Sequence, residues 1–232
     1  MIRVLLAAPL RQDVRIFREH QESIDRLKLP AGVVLDRFYV VNDCPEVIPE
    51  IRGDYVVANT GDFYGKTADE HLWTAENLIK MHGLRNRTIR VALSGGYDYL
   101  FSVDTDLVLH PDTLVTLMAT GKDIVSELFY TNGWANAWRE GQYTPPEPEW
   151  KTPGLYRVGM TGACMLVRRN VLEAGVDYSP IPNLGMWGED RHFCIRAAVH
   201  GFDLWTDTHC PPEHLYTEAA YQAYMARKEA TA

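Results

Sequence analysis

The stretch Tyr-Asp-Tyr-Leu-Phe-Ser-Val-Asp-Thr-Asp at residues 97–106 places two acidic residues directly after an apolar run. Its aromatic and β-branched residues predict a buried strand over 97–103 that ends at Asp104. Asp104 and Asp106 are two residues apart, so both carboxylates can turn toward one point once the chain leaves the regular pleat. Oxygen ligands at such a strand end suit Mg²⁺ or Mn²⁺, which also take substrate phosphate oxygens and water. An exposed acidic turn is the alternative interpretation.

The segments on both sides of this stretch alternate between strand-like and helix-like patterns. Strands are predicted at 2–8, 33–41, 54–58, 123–129, 155–160, 163–168 and 202–206. Helices are predicted after the first strand, as two helices separated by Gly83 within 69–94, and at 111–119, from 169, at 189–200 and at 216–232. This alternation predicts an α/β fold with an open, mostly parallel sheet flanked by helices, in which ligands bind beyond the carboxyl ends of the strands.

Composition and charge narrow the class of protein. The chain has 232 residues, of which 46% are hydrophobic and 23% charged, and this excludes disordered and collagen-like classes. Its net charge of −8 argues against nucleic acid or an anionic membrane as a partner. The apolar run at 2–8 is too short for a signal peptide, and no stretch is long enough to span a membrane. The four cysteines form no C-x-x-C pair. We therefore expect a cytoplasmic protein with reduced thiols.

Several motifs, taken in order and spacing, resemble the GT-A class of nucleotide-sugar glycosyltransferases, especially family 2. The GT-A fold is a Rossmann-like single domain, so the resemblance agrees with the predicted α/β architecture. The matching segments are Ala-Ala-Pro-Leu-Arg at 7–11, Val-Val-Asn-Asp at 40–43, Arg-Asn at 85–86 followed by Ile89 and Ala92-Leu93, the D-x-D motif at 104–106, Thr-Gly-Ala-Cys-Met-Leu at 161–166, Trp-Gly-Glu-Asp at 187–190 and His-Leu-Tyr at 214–216.

The resemblance implies a domain plan and a donor site. A glycosyltransferase domain would cover 1–216, with a nucleotide-binding half at 1–106 and an acceptor-binding half at 107–216, followed by a helical tail at 217–232. Asn42 stands where the family has an aspartate that binds the base, and this departure leaves the identity of the base open. A UDP-sugar is the favoured donor and a GDP-sugar the alternative. The residues implied in donor binding are Ala8, Pro9, Arg11, Asn42, Asp43, Arg85, Asp104 and Thr105.

The resemblance also implies a metal site and a catalytic pair. Mn²⁺ or Mg²⁺ would be held by Asp104, Asp106 and His214, with Asp106 as the direct ligand and His209 as the competitor of His214. Asp104 would reach the ribose or a metal-bound water.

Glu189 and Asp190 supply two neighbouring carboxylates at a predicted helix start, where carboxylates are favoured. We expect Asp190 to act as general base in an inverting transfer and Glu189 to cap the helix or bind the acceptor. In a retaining transfer neither residue need act as a base. The implied activity is hexosyl transfer, enzyme class 2.4.

The irregular segment at 131–155 is rich in aromatic residues and proline, and we expect it to carry acceptor choice. A sugar presents apolar faces that aromatic rings can cover, so an acceptor platform is one interpretation of its tryptophans, and core packing is the other. The tryptophans concerned are Trp134, Trp138, Trp150 and the nearby Trp187. The acceptor itself is open, a glycan being one candidate.

Two rival functions share some of these features. Asp104 and Asp106 also fit the D-x-D nucleophile motif of haloacid dehalogenase-type phosphatases. That motif normally follows the first strand of the chain, whereas here about a hundred residues precede it. A non-catalytic subunit that binds nucleotide-sugars or glycans is the second rival.

Overall fold

The computed structural model describes residues 1–61, 74–139, 148–185 and 188–231. The strands are β1 (Ile2–Leu10), β2 (Val33–Val41), β3 (Asp54–Val57), β4 (Tyr99–Ser102), β5 (Leu107–Val108), β6 (Ile124–Glu127), β7 (Tyr130–Thr131), β8 (Trp134–Ala135), β9 (Ala137–Trp138), β10 (Leu155–Val158), β11 (Met160–Thr161), β12 (Met165–Arg168), β13 (Leu204–Asp207) and β14 (Glu213–His214). The helices are α1 (Val14–Asp25), α2 (Ala75–Ser94), α3 (Thr113–Ala119), α4 (Arg169–Glu173), α5 (Glu189–Val199) and α6 (Glu218–Ala230).

One eight-stranded sheet organises the described residues, in the order β10-β13-β6-β12-β4-β1-β2-β3. Four of its seven neighbouring strand pairs are parallel. β12 runs antiparallel to both β4 and β6, and β10 runs antiparallel to β13. The predicted α/β class with a mostly parallel sheet is therefore confirmed. Because β4, β1 and β2 run in the same direction, their carboxyl ends meet at one edge of the sheet, where Asp104 follows β4.

The apolar run that begins the chain forms a strand buried on both faces. Val4, Leu6 and Ala8 join one hydrophobic cluster, while Leu5 and Ala7 join the cluster on the opposite face. All five are at most 1% exposed. A strand covered by helices on both sides needs apolar residues at every position, and this explains the uninterrupted run.

The two helices predicted around Gly83 are one continuous helix, so that prediction is wrong. α2 begins after Thr74, whose side chain accepts a hydrogen bond from the backbone N–H of Asn77. A helical glycine costs about 1 kcal/mol relative to alanine. Burial of Leu78 and Leu84 on either side of Gly83 outweighs that cost. The part of the prediction that covers 69–73 lies outside the described residues.

The aromatic segment expected to be irregular is partly ordered into short strands. β7 pairs with β8 as a hairpin, and β9 pairs with β11. The predicted strand at 155–160 is divided into β10 and β11, and the strand predicted from Tyr97 begins at Tyr99. Residues 140–147 lie outside the described part of the chain.

The carboxyl-terminal helix α6 packs against the domain through both apolar and charged contacts. Tyr221 joins a buried cluster with Ile16 and Val108. Lys228 donates hydrogen bonds to Glu19 and to a neighbouring glutamate on α1 at 2.7 and 2.9 Å. Among the helices of the described segments, none is long and apolar enough to cross a bilayer. All four cysteines are buried and without a disulfide.

Glu127 is a fully buried carboxyl group at the end of β6. One of its oxygens accepts the backbone N–H of Cys210, and the other has no hydrogen-bond partner among the described residues. Burial, reinforced by the charge of Asp207, raises the pKa of Glu127 to about 8. The folded protein therefore keeps a proton on Glu127 at neutral pH, whereas in the unfolded chain this carboxyl group is ionised above its ordinary pKa of about 4.3.

We expect the Glu127→Gln variant to remove a pH-dependent loss of stability. Because the folded-state pKa is raised, the contribution of Glu127 to the free energy of unfolding is complete below about pH 4.3 and is lost as the pH rises toward 8. The melting temperature of the variant should exceed that of the wild type by a margin that grows to a few degrees between pH 5 and 8. Thermal unfolding across that pH range measures it. A constant difference would contradict the assignment.

Candidate active site

The two aspartates and one histidine of the predicted metal site meet where β4 ends. The chain turns after Asp104 into β5, and β5 pairs antiparallel with β14, so that Leu107 lies opposite His214. The backbone N–H of Leu215 also donates to the carbonyl of Asp106 at 2.8 Å. These backbone contacts bring His214 Nε2 to 3.4 Å from Asp106 Oδ2.

Residues around His214 fix its ring. Its Nδ1 lies 3.0 Å from Thr131 Oγ1, within hydrogen-bond distance, and its ring packs against Phe129 and Tyr216 with centroids 5.0 and 5.2 Å apart. Burial alone would lower the pKa of His214, but the carboxylates of Asp106 and Asp104 outweigh it and raise that pKa. The ring therefore sits in a strongly negative field, which is the environment of a cation site.

His209, the competing candidate, lies elsewhere. Its Nδ1 is 3.0 Å from Asp207 Oδ1, and its side chain is about half exposed. It does not line the pocket that contains Asp104 and Asp106. The structure therefore places His214, and not His209, beside the two aspartates.

Arg85 lies beneath the site as a buried bridge between two carboxylates. Its Nε donates to Glu189 Oε1 at 2.6 Å, its Nη2 to Asp104 Oδ1 at 2.8 Å, and its Nη1 to Ser102 Oγ at 3.3 Å. It is 4% exposed and does not line the pocket. The sequence assigns Arg85 to the nucleotide, whereas in the structure its donors are directed at protein groups. It links the donor-side residue Asp104 to helix α5.

We expect Arg85→Lys to lower the free energy of unfolding by about 2 kcal/mol, because a single ammonium cannot replace the planar fork that bonds both carboxylates. Arg169→Lys is the matched control, since Arg169 pairs with Glu173 one helical turn away at 2.6 Å and its side chain makes one long further bond, of 3.4 Å, to the carbonyl of Tyr97. That change should cost less than about 0.5 kcal/mol. Denaturant unfolding of the two variants measures the difference. Equal losses would contradict the bridging role.

Glu189 and Asp190 begin α5 and are held in different environments. Gly188 precedes them with a φ of +98°, a left-handed conformation that glycine adopts readily. Glu189 is 6% exposed and its charge is balanced by Arg85. Asp190 Oδ1 is buried and has no hydrogen-bond partner among the described residues. Burial raises the pKa of Asp190 to about 8, with Arg85 opposing and the charges of Glu189 and Asp104 adding to the rise.

Gly162 makes room for the Asp190 carboxylate. A Cβ atom at position 162 would overlap the Asp190 side chain, so only glycine allows this close approach. The contact places Asp190 at the pocket wall instead of against the helix it begins. The sequence motif at 161–166 contains this glycine, although nothing in the sequence shows that its neighbour is the proposed base.

These side chains surround one pocket of about 270 Å³ at the carboxyl end of the sheet. No lysine or arginine is among the described residues that line it. The lining residues are Asp104, Asp106, Phe129, Thr131, Asn136, Met160, Gly162, Ala163, Asp190, His214 and Tyr216. Sequence reasoning missed Phe129, Thr131 and Asn136, which follow β6, because no short motif marks them.

The other predicted donor-binding residues lie apart from this lining. Asp43, with a φ of +51°, accepts hydrogen bonds from Thr60 Oγ1 at 2.9 Å and from the backbone N–H of Gly61 at 3.5 Å. Asn42 is 5% exposed, and the orientation that satisfies its amide has it donating to Ala58 O at 2.7 Å. The side chains of Asn42 and Asp43 thus hold the turn that follows β3.

Four further residues predicted to bind the donor lie outside the pocket lining. Ala8 is completely buried in the core and Thr105 is 6% exposed, so neither presents a side chain to solvent. Pro9 and Arg11 are half-buried at the end of β1. Of the eight residues predicted to bind the donor, Asp104 alone lines the pocket.

The residues present fit a divalent cation of the Mg²⁺ or Mn²⁺ type. Within the described ranges, no group of three or more His, Cys, Asp or Glu side chains could hold a metal ion, so the protein alone supplies no complete cage. These cations commonly bind through one or two carboxylates together with substrate phosphates, so a complete cage is not required. Asp104, Asp106 and His214 line one pocket and supply the matching donor atoms.

Comparison with known proteins identifies the fold. No protein-family model matches the sequence, and no curated protein matches it. Solved structures do match: residues 1–349 of TarS from S. aureus superpose with a TM-score of 0.56 at 12% identity, covering 90% of this chain and 60% of that one. This chain has the GT-A fold.

Two further matches with the GT-A fold were solved with ligands. The mannosyltransferase PcManGT from Pyrobaculum calidifontis, in complex with GDP-Man and Mn²⁺, has a TM-score of 0.53 at 14% identity and covers 92% of this chain and 58% of that one. TarS 1–349 in complex with UDP-GlcNAc has a TM-score of 0.54 at 14% identity, with 90% and 58% covered. The chain thus spans about three fifths of the length of these structures.

Proposed function

We propose that this GT-A chain is a glycosyltransferase that moves a hexosyl group from a nucleoside diphosphate donor to an acceptor with inversion of configuration. The observation that carries the proposal is the meeting of Asp104, Asp106, His214 and Asp190 around one pocket at the carboxyl end of the sheet. Solved structures of the same fold with a UDP-sugar and with a GDP-sugar and Mn²⁺ support it.

On the donor side, we assign the diphosphate to the part of the pocket lined by Asp106 and His214, which face each other across 3.4 Å. Asp104, Asp106 and His214 would hold Mn²⁺ or Mg²⁺, and the cation would stabilise the leaving diphosphate as a Lewis acid. Arg85 bonds one oxygen of Asp104 at 2.8 Å, and we assign the other oxygen to the cation. His214 is oriented by Thr131 and packed between aromatic rings, so its Nε2 stays directed at Asp106.

On the acceptor side, Asp190 is the general base. Its carboxylate lines the pocket, has an unpartnered oxygen among the described residues, and has a pKa of about 8, which is close to an operating pH. Glu189 is less suited to this role, because Arg85 bonds it and holds its charge. The two neighbouring carboxylates are thus separated into one structural group and one reactive group.

For the donor nucleotide we propose UDP, with GDP as the alternative. The buried Asn42 amide and the turn held by Asp43 sit at the carboxyl edge of β2, next to β1. Because the Asn42 amide donates to Ala58 O, it orders this edge from within, and the preference for UDP rests on the sequence resemblance. The cytoplasmic location predicted from the sequence is also a proposal.

The phosphatase interpretation finds less support. A D-x-D phosphatase uses its first aspartate as a nucleophile, but here Arg85 bonds Asp104 and lowers its reactivity toward a phosphorus centre. The binding-subunit interpretation leaves without a role the buried Asp190 Oδ1, which has no hydrogen-bond partner among the described residues, although such a group costs stability.

The proposal is tested by thermal unfolding against UDP, GDP, CDP and dTDP, each with Mn²⁺ and each with EDTA. A ligand that binds only the folded state raises the midpoint. We expect one nucleotide, UDP or GDP, to raise it with Mn²⁺ and to lose this effect with EDTA. No rise with any of the four nucleotides would overturn the proposal.

A further inference from the structure

Two short antiparallel ribbons border the pocket, and each carries a tryptophan opposite a pocket-lining residue. In the β7–β8 hairpin, Trp134 is paired with Thr131, and in the β9–β11 ribbon, Trp138 is paired with Met160. Thr131 and Met160 both line the pocket. Directly opposed residues of antiparallel strands have neighbouring side chains on the same face. Each tryptophan therefore shares a ribbon face with a pocket-lining residue and lies next to the pocket lining, outside it.

The hairpin that carries Trp134 is anchored to the active site. Its turn, at 132–133, has two successive positive φ angles, as two-residue hairpins require. Thr131 at one end bonds His214, and Asn136 just after the other end donates to the carbonyl of Glu127 at 3.0 Å. The hairpin is thus tied to both the proposed metal ligand and the central sheet.

The exposure of the tryptophans differs according to their position. Trp134 is 48% exposed, and Trp138 is half-buried. Trp150, by contrast, is 3% exposed and belongs to the hydrophobic core, so the core interpretation holds for it. Trp187 lies outside the described residues. Large aromatic surfaces that stay exposed beside a pocket are typical of ligand contact.

The charge and shape of the pocket define the class of molecule that these rings would cover. Asp190 and Asp106 make it acidic, and no lysine or arginine is among its described lining residues. An acceptor with a carboxylate or phosphate would find no lysine or arginine among the described lining residues to balance its charge. Phe129 and Tyr216 add aromatic walls. An uncharged sugar offers apolar ring faces to such walls and hydroxyl groups to the carboxylates.

We propose that Trp134 and Trp138 form an acceptor subsite for an uncharged carbohydrate. This inference rests on the proposed function, because it places the acceptor hydroxyl beside Asp190. In the transfer, the hydroxyl loses its proton to the Asp190 carboxylate while its oxygen bonds the anomeric carbon of the donor. The bond from that carbon to the diphosphate breaks, and the nucleoside diphosphate leaves with the electron pair.

The test measures binding of five neutral disaccharides in the presence of Mn²⁺ and the nucleoside diphosphate that stabilises the protein most. The probes are cellobiose, maltose, lactose, mannobiose and N,N′-diacetylchitobiose, and glucuronic acid is the anionic comparison. Binding is detected by saturation-transfer NMR and quantified by calorimetry. We expect at least one disaccharide to bind the wild type, and Trp134→Ala and Trp138→Ala each to weaken it about tenfold. Trp134→Phe, which keeps a ring, should lose less.

Tyr130→Ala is the matched control. Tyr130 is also exposed and belongs to the same hairpin, but it is adjacent to Thr131 along the strand and so projects from the opposite face. We expect this variant to bind the disaccharide within twofold of the wild type. In all four variants the nucleotide-induced rise in melting temperature should be unchanged.

Three results would overturn the subsite. The first is that none of the five disaccharides binds the wild type. The second is that both tryptophan-to-alanine variants bind the disaccharide as tightly as the wild type. The third is that Tyr130→Ala weakens disaccharide binding as much as the tryptophan-to-alanine changes do. If the nucleotide effect persists in any of these cases, the proposed function stands and only the subsite fails. Loss of the nucleotide effect in the wild type itself is the separate failure of the proposed function.

Discussion

The Asp190→Asn variant is expected to transfer sugar about 10³-fold more slowly than the wild type while binding the nucleoside diphosphate equally well. Asparagine has nearly the same shape, so the close contact with Gly162 is preserved, but it cannot accept the proton of the acceptor hydroxyl. The rate is measured as release of nucleoside diphosphate from the donor. Nucleotide binding is measured by thermal unfolding.

The pH dependence of the wild type gives a second measurement on the same residue. Because kcat/KM reports groups of the free enzyme, it should rise with pH up to the pKa of Asp190, which is about 8, and then level off. The residual activity of Asp190→Asn should lack this rise. Full transfer by the variant, or the same pH profile in both proteins, would contradict the role of Asp190 as base.

The Asp106→Ala variant is expected to lose cation-dependent nucleotide binding, with an affinity more than about 100-fold weaker. Substitution of a residue that only supports a metal ligand lowers metal affinity by about 10–100-fold, so removal of a ligand itself should lower it more. Asp106 is 9% exposed and faces His214 across 3.4 Å, so its removal leaves Asp104 as the one carboxylate of the proposed ligand set. Calorimetric titration of the nucleotide with Mn²⁺ measures the loss.

Asp112→Ala is the control for this experiment. Asp112 lies eight residues from Asp104 along the chain, and its side chain is 39% exposed in an ion pair with Lys28. The change removes the same charge from the same region of sequence but outside the pocket. Its nucleotide affinity should stay within twofold of the wild type. Normal nucleotide binding by Asp106→Ala in Mn²⁺ would disprove the metal assignment.

The parts of the fold that the sequence predicts well are those determined by local pattern. The continuous apolar run of β1 is explained by burial on both faces, and the aromatic run before Asp104 is explained by the central position of β4. Strand ends at one edge of a parallel sheet come together by topology. The position of Asp104 and Asp106 at a strand end therefore predicts that they lie beside residues distant in sequence.

The parts that sequence reasoning missed depend on contacts over long sequence separations. Arg85 resembles a ligand-binding arginine in its motif, but its three hydrogen bonds to Glu189, Asp104 and Ser102 span up to 104 residues. The antiparallel insertion of β12 into the sheet likewise has no local signature. Gly83 shows the same limit, because packing on either side outweighs the weak preference of glycine against a helix.

The most direct test of the account is the binding of Mn²⁺ measured by electron paramagnetic resonance, with and without the stabilising nucleoside diphosphate. Since Asp104, Asp106 and His214 do not form a complete cage, Mn²⁺ alone should bind weakly. The nucleotide should raise Mn²⁺ affinity at least about tenfold, and Mn²⁺ should raise nucleotide affinity by the same factor. An affinity for Mn²⁺ that is unchanged by nucleotide, or unchanged by Asp106→Ala, would contradict a cation-bridged diphosphate site in this pocket.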